Sequence, residues 1–177
     1  LEDPDRIPLS FNVRKELLHS LMKAMNLRFG NRGYVKLCRR LGVDTLNVSL
    51  KLKGGYLPNN VELKEGPYGP AYTIGFKGRF EVRRDIWGVD SLWAPKHTYT
   101  YTFLEHPLKR IDLESYTWPE IDYNDISRVR RFRREHEDFF VRGVVTHMWE
   151  IAWQLTGFNE ILVYMFKRPS FVERVLD

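Results

Sequence analysis

The chain has 177 residues, which is the size of one domain or of part of a larger one. Hydrophobic residues make up 43% and aromatic residues 14% of it, so the composition excludes a globally disordered chain. The formal net charge of +5 permits an anionic partner but is common among enzymes. It is weak evidence for nucleic acid, and we expect none as a partner.

Cysteine usage and hydropathy limit the cellular setting. Cys38 is the single cysteine, so neither an intramolecular disulfide nor a cysteine-rich zinc site can form. No apolar run approaches the roughly 18–20 residues that span a bilayer, and no secretory signal is visible. These features predict a cytoplasmic protein without membrane contact. The chain begins with Leu1, and we expect that residues before it have been lost.

The first 52 residues predict two strands with two helices between them. Residues 6–11 read as a short buried strand, and residues 13–26 carry apolar side chains at helical spacing. Residues 31–41 predict a second helix, which buries Cys38 and ends at Gly42. Apolar residues spaced by two predict a strand within 43–52.

Residues 53–110 are rich in Gly and Pro turn signals. Strand-like segments lie between the turns, at 71–76, 80–86 and 98–103. We expect this stretch to be an excursion of antiparallel hairpins inserted after the second main strand.

The last third of the chain predicts two further helices with a strand between them. An acidic linker over 112–125 leads into a helix with Val129 and Phe132 on its inner face and five arginines outside. A buried strand is expected over 139–147 and an apolar helix over 149–165, which Pro169 ends. A last helical turn covers 171–176.

Alternating strands and helices favour parallel pairing with right-handed crossovers. The first predicted strand lacks a following glycine-rich loop, which argues against a dinucleotide-binding fold. A complete (β/α)8 barrel needs about 200–250 residues or more. We therefore expect an incomplete (β/α)8 TIM barrel, with residues 1–177 forming the N-terminal part, about three β/α units, of a single barrel domain.

Several short motifs occur in the order found in the uroporphyrinogen decarboxylase and corrinoid methyltransferase superfamily, which this chain resembles over most of its length. The segments that carry the resemblance are Pro4-Asp5-Arg6-Ile7-Pro8, Leu41-Gly42-Val43-Asp44, Asp85-Ile86-Trp87-Gly88-Val89, His106-Pro107-Leu108, Asp112-Leu113-Glu114-Ser115-Tyr116-Thr117-Trp118-Pro119, Glu150, Gly157, Asn159-Glu160 and Pro169-Ser170-Phe171-Val172. Each motif is weak alone, and the shared order gives the set its specificity.

The resemblance implies an enzyme that binds a tetrapyrrole or corrinoid-linked substrate and either transfers methyl groups or removes acetate carboxyls. The decarboxylase signature after the first strand contains a Gly-Arg pair, which residues 11–16 lack. Methyl transfer is therefore favoured, and uroporphyrinogen III decarboxylation in porphyrin biosynthesis is the alternative. Corrinoid and zinc are implied for the complete enzyme, with a corrinoid protein as a partner. This segment itself is expected to bind no metal and to be inactive alone.

Four residues are candidates for the site. Asn12 and Arg14 follow the first predicted strand, where an arginine could grip a substrate carboxylate through two hydrogen bonds. The competing interpretation is a helix cap followed by a solvated first turn. His147 and Glu150 follow the third predicted strand and are candidates for general acid–base catalysis, Glu150 also by the resemblance. They could equally be residues of a helix N-terminal turn.

Two further patterns have simpler interpretations. The arginines at 128–134 could neutralise phosphates, but the amphipathic pattern and the acidic residues that follow favour a solvated helix face. His97, His106 and Asp85 match no metal-ligand spacing. A non-catalytic half-barrel that forms a homo-oligomer through its open strand edges is the alternative from another functional class.

Overall fold

The computed structural model describes residues 7–66, 69–93, 102–144 and 147–177. Within them, the helices are α1 (Lys15–Ala24), α2 (Asn31–Arg40), α3 (Ile126–Glu135), α4 (Met148–Thr156), α5 (Phe158–Lys167) and α6 (Pro169–Leu176). The strands are β1 (Thr45–Val48), β2 (Leu52–Gly54), β3 (Lys64–Gly66), β4 (Gly69–Lys77), β5 (Phe80–Asp85), β6 (Asp90–Trp93), β7 (Thr102–Glu105), β8 (Pro119–Ile121) and β9 (Phe140–Gly143). Short 3-10 turns cover Pro107–Lys109, Leu113–Ser115 and Tyr123–Asp125.

The chain forms two compact units. Unit 1 comprises Leu1–Leu50 and Asn124–Val144, and unit 2 comprises Lys51–Tyr123 and Val145–Asp177. Each unit is built from two separate stretches of sequence, so neither would form from one continuous segment of the chain.

Unit 1 packs three helices with one pair of parallel strands. Strands β1 and β9 pair with Thr45 opposite Phe140 and Val48 opposite Gly143. Its buried cluster, which α2 lines with its apolar face, contains Val35, Cys38, Val43, Leu46 and Phe139. Next to this cluster, the Arg39 guanidinium donates two hydrogen bonds, of 2.7 and 3.1 Å, to the Asp138 carboxylate.

Unit 2 is built on an antiparallel sheet of five strands in the order β3-β4-β5-β6-β7. A bulge between Thr73 and Gly75 shifts the β4–β5 register, which bends the strand. A separate antiparallel pair joins β2 to β8, with Leu52 opposite Ile121. The antiparallel strands expected within residues 53–110 are therefore present, although residues 98–101 lie outside the described part.

Helices α4, α5 and α6 complete unit 2. One buried cluster joins them to the turn that follows the sheet, and its members are Leu113, Ala152, Ile161, Val172 and Val175. A second cluster contains Val89, Tyr116, Ile151 and Leu155, and it packs α4 against the sheet. Apolar burial on this scale is the main stabilising contribution to such a unit.

The predicted incomplete (β/α)8 barrel is wrong. The largest sheet is antiparallel, and β1 with β9 is the parallel pair found among the described residues. Residues 7–14 form no strand, and Ile7 is 86% exposed. No strand lies beside residues 7–14, so their backbone groups form no ladder of hydrogen bonds with a neighbouring strand. The apolar pattern of this segment was therefore not sufficient to make it a strand.

Other predicted elements differ in length. The single helix expected over 149–165 is two helices, because Gly157 adopts φ 96° between them. The strand expected over 43–52 divides into β1 and β2, and the third main strand is only Phe140–Gly143. The two N-terminal helices, the Gly42 end of α2 and the buried Cys38 are confirmed.

In the parts of the chain that the structure describes, no helix has both the length and the apolar character to cross a lipid bilayer.

Candidate functional site

A groove of about 450 Å³ opens on the surface of unit 2. One wall is the segment that holds the first two 3-10 turns, and the other is the junction of α5 and α6. Pockets of this size accommodate small organic ligands, which makes the groove the leading candidate site among the described residues.

Proline creates the α5–α6 wall. Pro169 cannot continue α5, because it lacks a backbone donor, but it fits the first position of α6. Arg168 lies between the helices with φ −144° and ψ 56°, which turns the chain sharply. The turn brings the end of α5 and the first residues of α6 to the same side of the groove.

Three cationic side chains line the groove, together with two acidic ones, Asp112 and Glu114. Arg174 donates a 2.8 Å hydrogen bond to Glu114, and this contact lowers the pKa of the Glu114 carboxyl. Lys167 and Arg168 also border the groove and form no ion pair with any residue the structure describes. Lys167 and Arg168 are therefore the cations that an anionic ligand can contact, and the charge of Arg168 also acts on Glu114, where it helps to lower the pKa of that carboxyl.

Apolar and aromatic groups form another part of the groove surface. Leu113 is buried beneath the groove, while Leu108 and Phe171 are partly buried at its side. The Arg168 guanidinium carbon lies 4.8 Å from the ring centroid of Phe171 and 5.2 Å from that of Tyr164. These cation–π contacts hold the charge of Arg168 beside a flat apolar surface.

Two polar contacts secure the first wall to the helices. His106 Nδ1 lies 2.6 Å from the carbonyl oxygen of Gln154 in α4, so this nitrogen carries the proton and donates. Lys109 Nζ lies 2.6 Å from a carboxylate oxygen of Glu160 in α5, and this contact lowers the pKa of Glu160. His106 and Lys109 therefore connect the first wall of the groove to α4 and α5.

The motif at 85–89 forms the tight turn between β5 and β6. One Asp85 oxygen accepts hydrogen bonds from the backbone N–H groups of Trp87 and Val89, at 2.9 and 3.0 Å. Gly88 takes φ 78°, which favours glycine. Asp85 is therefore explained as the residue that shapes this turn, and not as a metal ligand.

Burial raises the pKa of the Asp85 carboxyl to about 7. The two backbone hydrogen bonds oppose this shift, and the negative charge of nearby Asp90 adds to it. The second carboxyl oxygen of Asp85 is buried without a hydrogen-bond partner among the described residues. The charged form is thus poorly stabilised in the fold.

An aromatic group packs on the Asp85 turn. The Tyr116 hydroxyl donates a 2.6 Å hydrogen bond to the carbonyl oxygen of Trp87, and burial raises the Tyr116 pKa. The Tyr116 ring contacts Trp118 edge-on at 4.7 Å and Tyr56 at 5.3 Å between centroids. The motifs at 85–89 and 112–119 are therefore in direct contact.

The structure brings His147 and Glu150 together, but outside the groove. His147 occupies the N-cap position of α4 without a side-chain capping bond, and Glu150 lies in the first turn, with His147 Nδ1 3.9 Å from a Glu150 oxygen. The side chains are 73% and 37% exposed, respectively. Their catalytic role stays a prediction.

Asn12 and Arg14 lie in unit 1, in the irregular segment before α1. Arg14 occupies the N-cap position of α1, and both residues are exposed. A cap by Asn12, the competing interpretation, is not observed, and their substrate-binding role stays a prediction.

No three histidine, cysteine or acidic residues within the described ranges converge on a point that could hold a metal ion. His97 lies outside those ranges. The described residues therefore contain no ligand set for the zinc that the resemblance implies.

Sequence reasoning missed the three cations of the groove. Lys167, Arg168 and Arg174 look like ordinary basic residues at helix ends, where they are common. The available signal was the Lys-Arg-Pro sequence at 167–169, because a proline that starts a new helix places the preceding side chains at a corner.

Comparisons with known proteins found no matching family, no matching curated protein and no matching solved structure. A proposal about function therefore depends on the groove and its chemistry.

Proposed function

We propose that this chain binds a tetrapyrrole or corrinoid-linked substrate in the groove of unit 2, as part of an enzyme that resembles the uroporphyrinogen decarboxylase and corrinoid methyltransferase superfamily. The proposal depends on the motifs and the groove and not on a barrel. The observation that carries it is that residues from three separate motifs line the same groove: Leu108, the 112–114 segment and the 169–171 segment.

The chemistry of the groove suits this class of ligand. Tetrapyrroles combine a flat, largely apolar macrocycle with polar or anionic side arms. Phe171 and Leu108 provide an apolar surface, and Lys167 and Arg168 provide positive charge beside the acidic Asp112 and Glu114 of the same groove. Because guanidinium groups bind carboxylates with two parallel hydrogen bonds, Arg168 is the strongest candidate for contact with an anionic arm.

Methyl transfer is favoured over decarboxylation. Residues 11–16 lack the Gly-Arg pair of the decarboxylase signature. Glu150 and His147, predicted for general acid–base catalysis, lie at the start of α4 and not in the groove. The groove is therefore proposed as the ligand-binding site alone. A cytoplasmic setting accords with the single, buried cysteine.

Ligand binding tests the proposal. The protein is titrated separately with uroporphyrin and with methylcobalamin, and binding is followed by tryptophan fluorescence and visible absorbance. We expect saturable binding of at least one ligand. The substitution Arg168→Glu is expected to weaken binding of that ligand at least about tenfold, because it reverses the charge at the groove.

Arg79→Glu is the matched control. Arg79 lies in unit 2 and stacks on Phe80 at 5.2 Å, as Arg168 stacks on Phe171, but it does not line the groove. Its substitution should leave binding unchanged. Absence of saturable binding for both ligands, or equal losses in the two variants, would contradict the proposal.

A non-catalytic binding protein is the second candidate. The high exposure of His147 and its 3.9 Å distance from Glu150 favour it, because a catalytic acid or base must reach the bound ligand and neither residue lines the groove. It predicts ligand binding in the groove without turnover. Transfer of the methyl group from bound methylcobalamin to a simple thiol would decide for the enzyme.

A further inference from the structure

The groove of unit 2 carries charges of opposite sign on its two walls. The acidic residues, Asp112 and Glu114, belong to the segment of the first two 3-10 turns, and the basic residues, Lys167, Arg168 and Arg174, belong to α5, α6 and the position between them. One contact crosses from wall to wall, because Glu114 accepts a 2.8 Å hydrogen bond from Arg174. The Glu114 carboxylate therefore already occupies one of the three cations that line the groove.

Apolar packing beneath the groove, and not this ion pair, holds the two walls together. Leu113 directly precedes Glu114 and lies in one buried cluster with Val172 and Val175, which are on either side of Arg174 in the sequence. The charged side chains themselves face water, since those of Arg174 and Glu114 are 56% and 66% exposed. Exposed ion pairs contribute little to stability. The Glu114–Arg174 pair can therefore separate without loss of the fold.

The Glu114 carboxylate lies at a favourable place for a negative charge. The hydrogen bond from Arg174 lowers the pKa of this carboxyl, and the positive charge of Arg168 adds to the effect. An acid group of a bound ligand would be stabilised by the same two guanidinium groups. Glu114 thus takes the place of such a group, and without a ligand it neutralises Arg174.

We propose that Glu114 is an internal competitor for the ligand of the groove, and that an acid group of the ligand replaces its carboxylate at Arg174. Because Glu114 lines the same groove, this role rests on the proposed function.

The internal competitor selects ligands by the number of their charges. A carboxylate tethered beside its partner competes at an effective concentration on the order of millimolar, so a ligand with a single acid group displaces it poorly. A ligand with several acid groups also contacts Lys167 and Arg168, and these added contacts favour its exchange with Glu114.

Binding of two probes tests the role of Glu114. The probes are uroporphyrin, followed by tryptophan fluorescence, and citrate, a small tricarboxylate without a macrocycle, followed by NMR chemical-shift changes of the protein. Glu114→Gln removes the negative charge and keeps the size of the side chain. We expect it to strengthen the binding of both probes by about threefold to tenfold, because Arg174 is released and a repulsive charge is removed.

A double-mutant cycle separates release of Arg174 from simple repulsion. Asp112 lies on the same wall as Glu114 but forms no ion pair with any residue the structure describes, so Asp112→Asn reports the effect of charge alone. In an Arg174→Gln background, the gain from Glu114→Gln should fall to the gain that Asp112→Asn gives. A gain from Glu114→Gln that Arg174→Gln leaves unchanged would contradict the internal competitor.

Glu105→Gln is the matched control outside the groove. Glu105 accepts a 2.7 Å hydrogen bond from Arg110 in another exposed ion pair of unit 2, and neither residue lines the groove. This substitution should leave the affinity for both probes unchanged. Thermal unfolding of each variant checks that the fold is retained.

The outcomes distinguish the role of Glu114 from the tetrapyrrole ligand. Stronger citrate binding by Glu114→Gln, without any binding of uroporphyrin, would support the internal competitor and reject the tetrapyrrole. Uroporphyrin binding that Glu114→Gln does not strengthen would support the tetrapyrrole and reject the internal competitor. Absence of binding for both probes, or an equal gain from Glu105→Gln, would also overturn the role of Glu114.

Discussion

Asp85 combines two roles that conflict with each other. Its side chain is needed as an acceptor for two backbone N–H groups in the β5–β6 turn. The same position is almost completely buried, so a negative charge there loses its hydration. The fold therefore favours the protonated carboxyl, and the pKa of Asp85 rises from its usual value near 3.8 to about 7.

This shift makes stability depend on pH. Because the folded-state pKa lies above the unfolded-state value, the favourable contribution of Asp85 is complete below about pH 3.8 and is lost as the pH rises through about 7. Asp85→Asn keeps an oxygen acceptor for the turn but carries no charge. We expect the variant to be more stable than the unmodified protein at pH 8, by about 2 kcal/mol, and to lose this part of the pH dependence.

Urea denaturation at pH 5 and pH 8 measures the difference. Asp85→Ala is the control, because it removes the charge and both turn hydrogen bonds, and it should be less stable than Asp85→Asn at both pH values. If the free energy of unfolding of Asp85→Asn falls between pH 5 and pH 8 as steeply as that of the unmodified protein, the interpretation of Asp85 is wrong.

Among elements, the α4–α5 junction shows how one glycine changes a helix pattern. Residues 149–165 are apolar enough to predict one continuous helix, but Gly157 takes φ 96° and ψ 139°. A Cβ atom at this position would lie 2.8 Å from Lys109 Cε and would also meet the Glu160 side chain. The break in the helix and the Lys109–Glu160 ion pair thus depend on the absence of a side chain.

Gly157→Ala is expected to lower the free energy of unfolding by about 1–2 kcal/mol, because an L-residue rarely adopts this backbone conformation. Thermal or chemical denaturation of the purified variant measures the change. Gly75→Ala in β4 is the control, since a Cβ there meets nothing within 4 Å and the backbone does not require glycine. Equal stability of the two variants would show that the junction tolerates a side chain.

In the molecule as a whole, the positive charge is unevenly distributed. Unit 1 contains 15 Lys and Arg residues against 9 Asp and Glu residues, a formal charge of +6, whereas unit 2 has 13 against 14. Four of the arginines of α3 are exposed, at 130, 131, 133 and 134. The fifth, Arg128, is held by Asp125 and by the carbonyl oxygen of Ser49.

The exposed arginines are expected to be a solvated helix face and not a nucleic-acid site. Acidic residues follow them directly in the sequence, and Arg131 lies 4.0 Å from Glu135. We therefore expect no saturable binding of a short DNA duplex at about 150 mM salt, measured by fluorescence anisotropy. Submicromolar binding that Arg130→Gln weakens would refute this expectation.

The helices, their ends and the hairpin strands could be predicted from the sequence, because the residues that determine them lie close together in the chain. Apolar spacing predicted α1 and α2, Gly42 and Pro169 marked helix boundaries, and Gly- and Pro-rich turns predicted antiparallel strands within 53–110. The burial of Cys38 followed from its position on the apolar face of α2. Each of these inferences needs only neighbours within a few turns of the chain.

The tertiary structure decided which strands pair and where the groove lies. An alternation of apolar residues marks a strand but carries no information about its partner, so the sequence did not show that residues 7–14 join no sheet or that β2 pairs with β8. The groove is lined by Leu108 and by Lys167 and Arg168, which lie about sixty residues later in the sequence. Such a site depends on contacts between distant segments, which packing determines and local spacing does not.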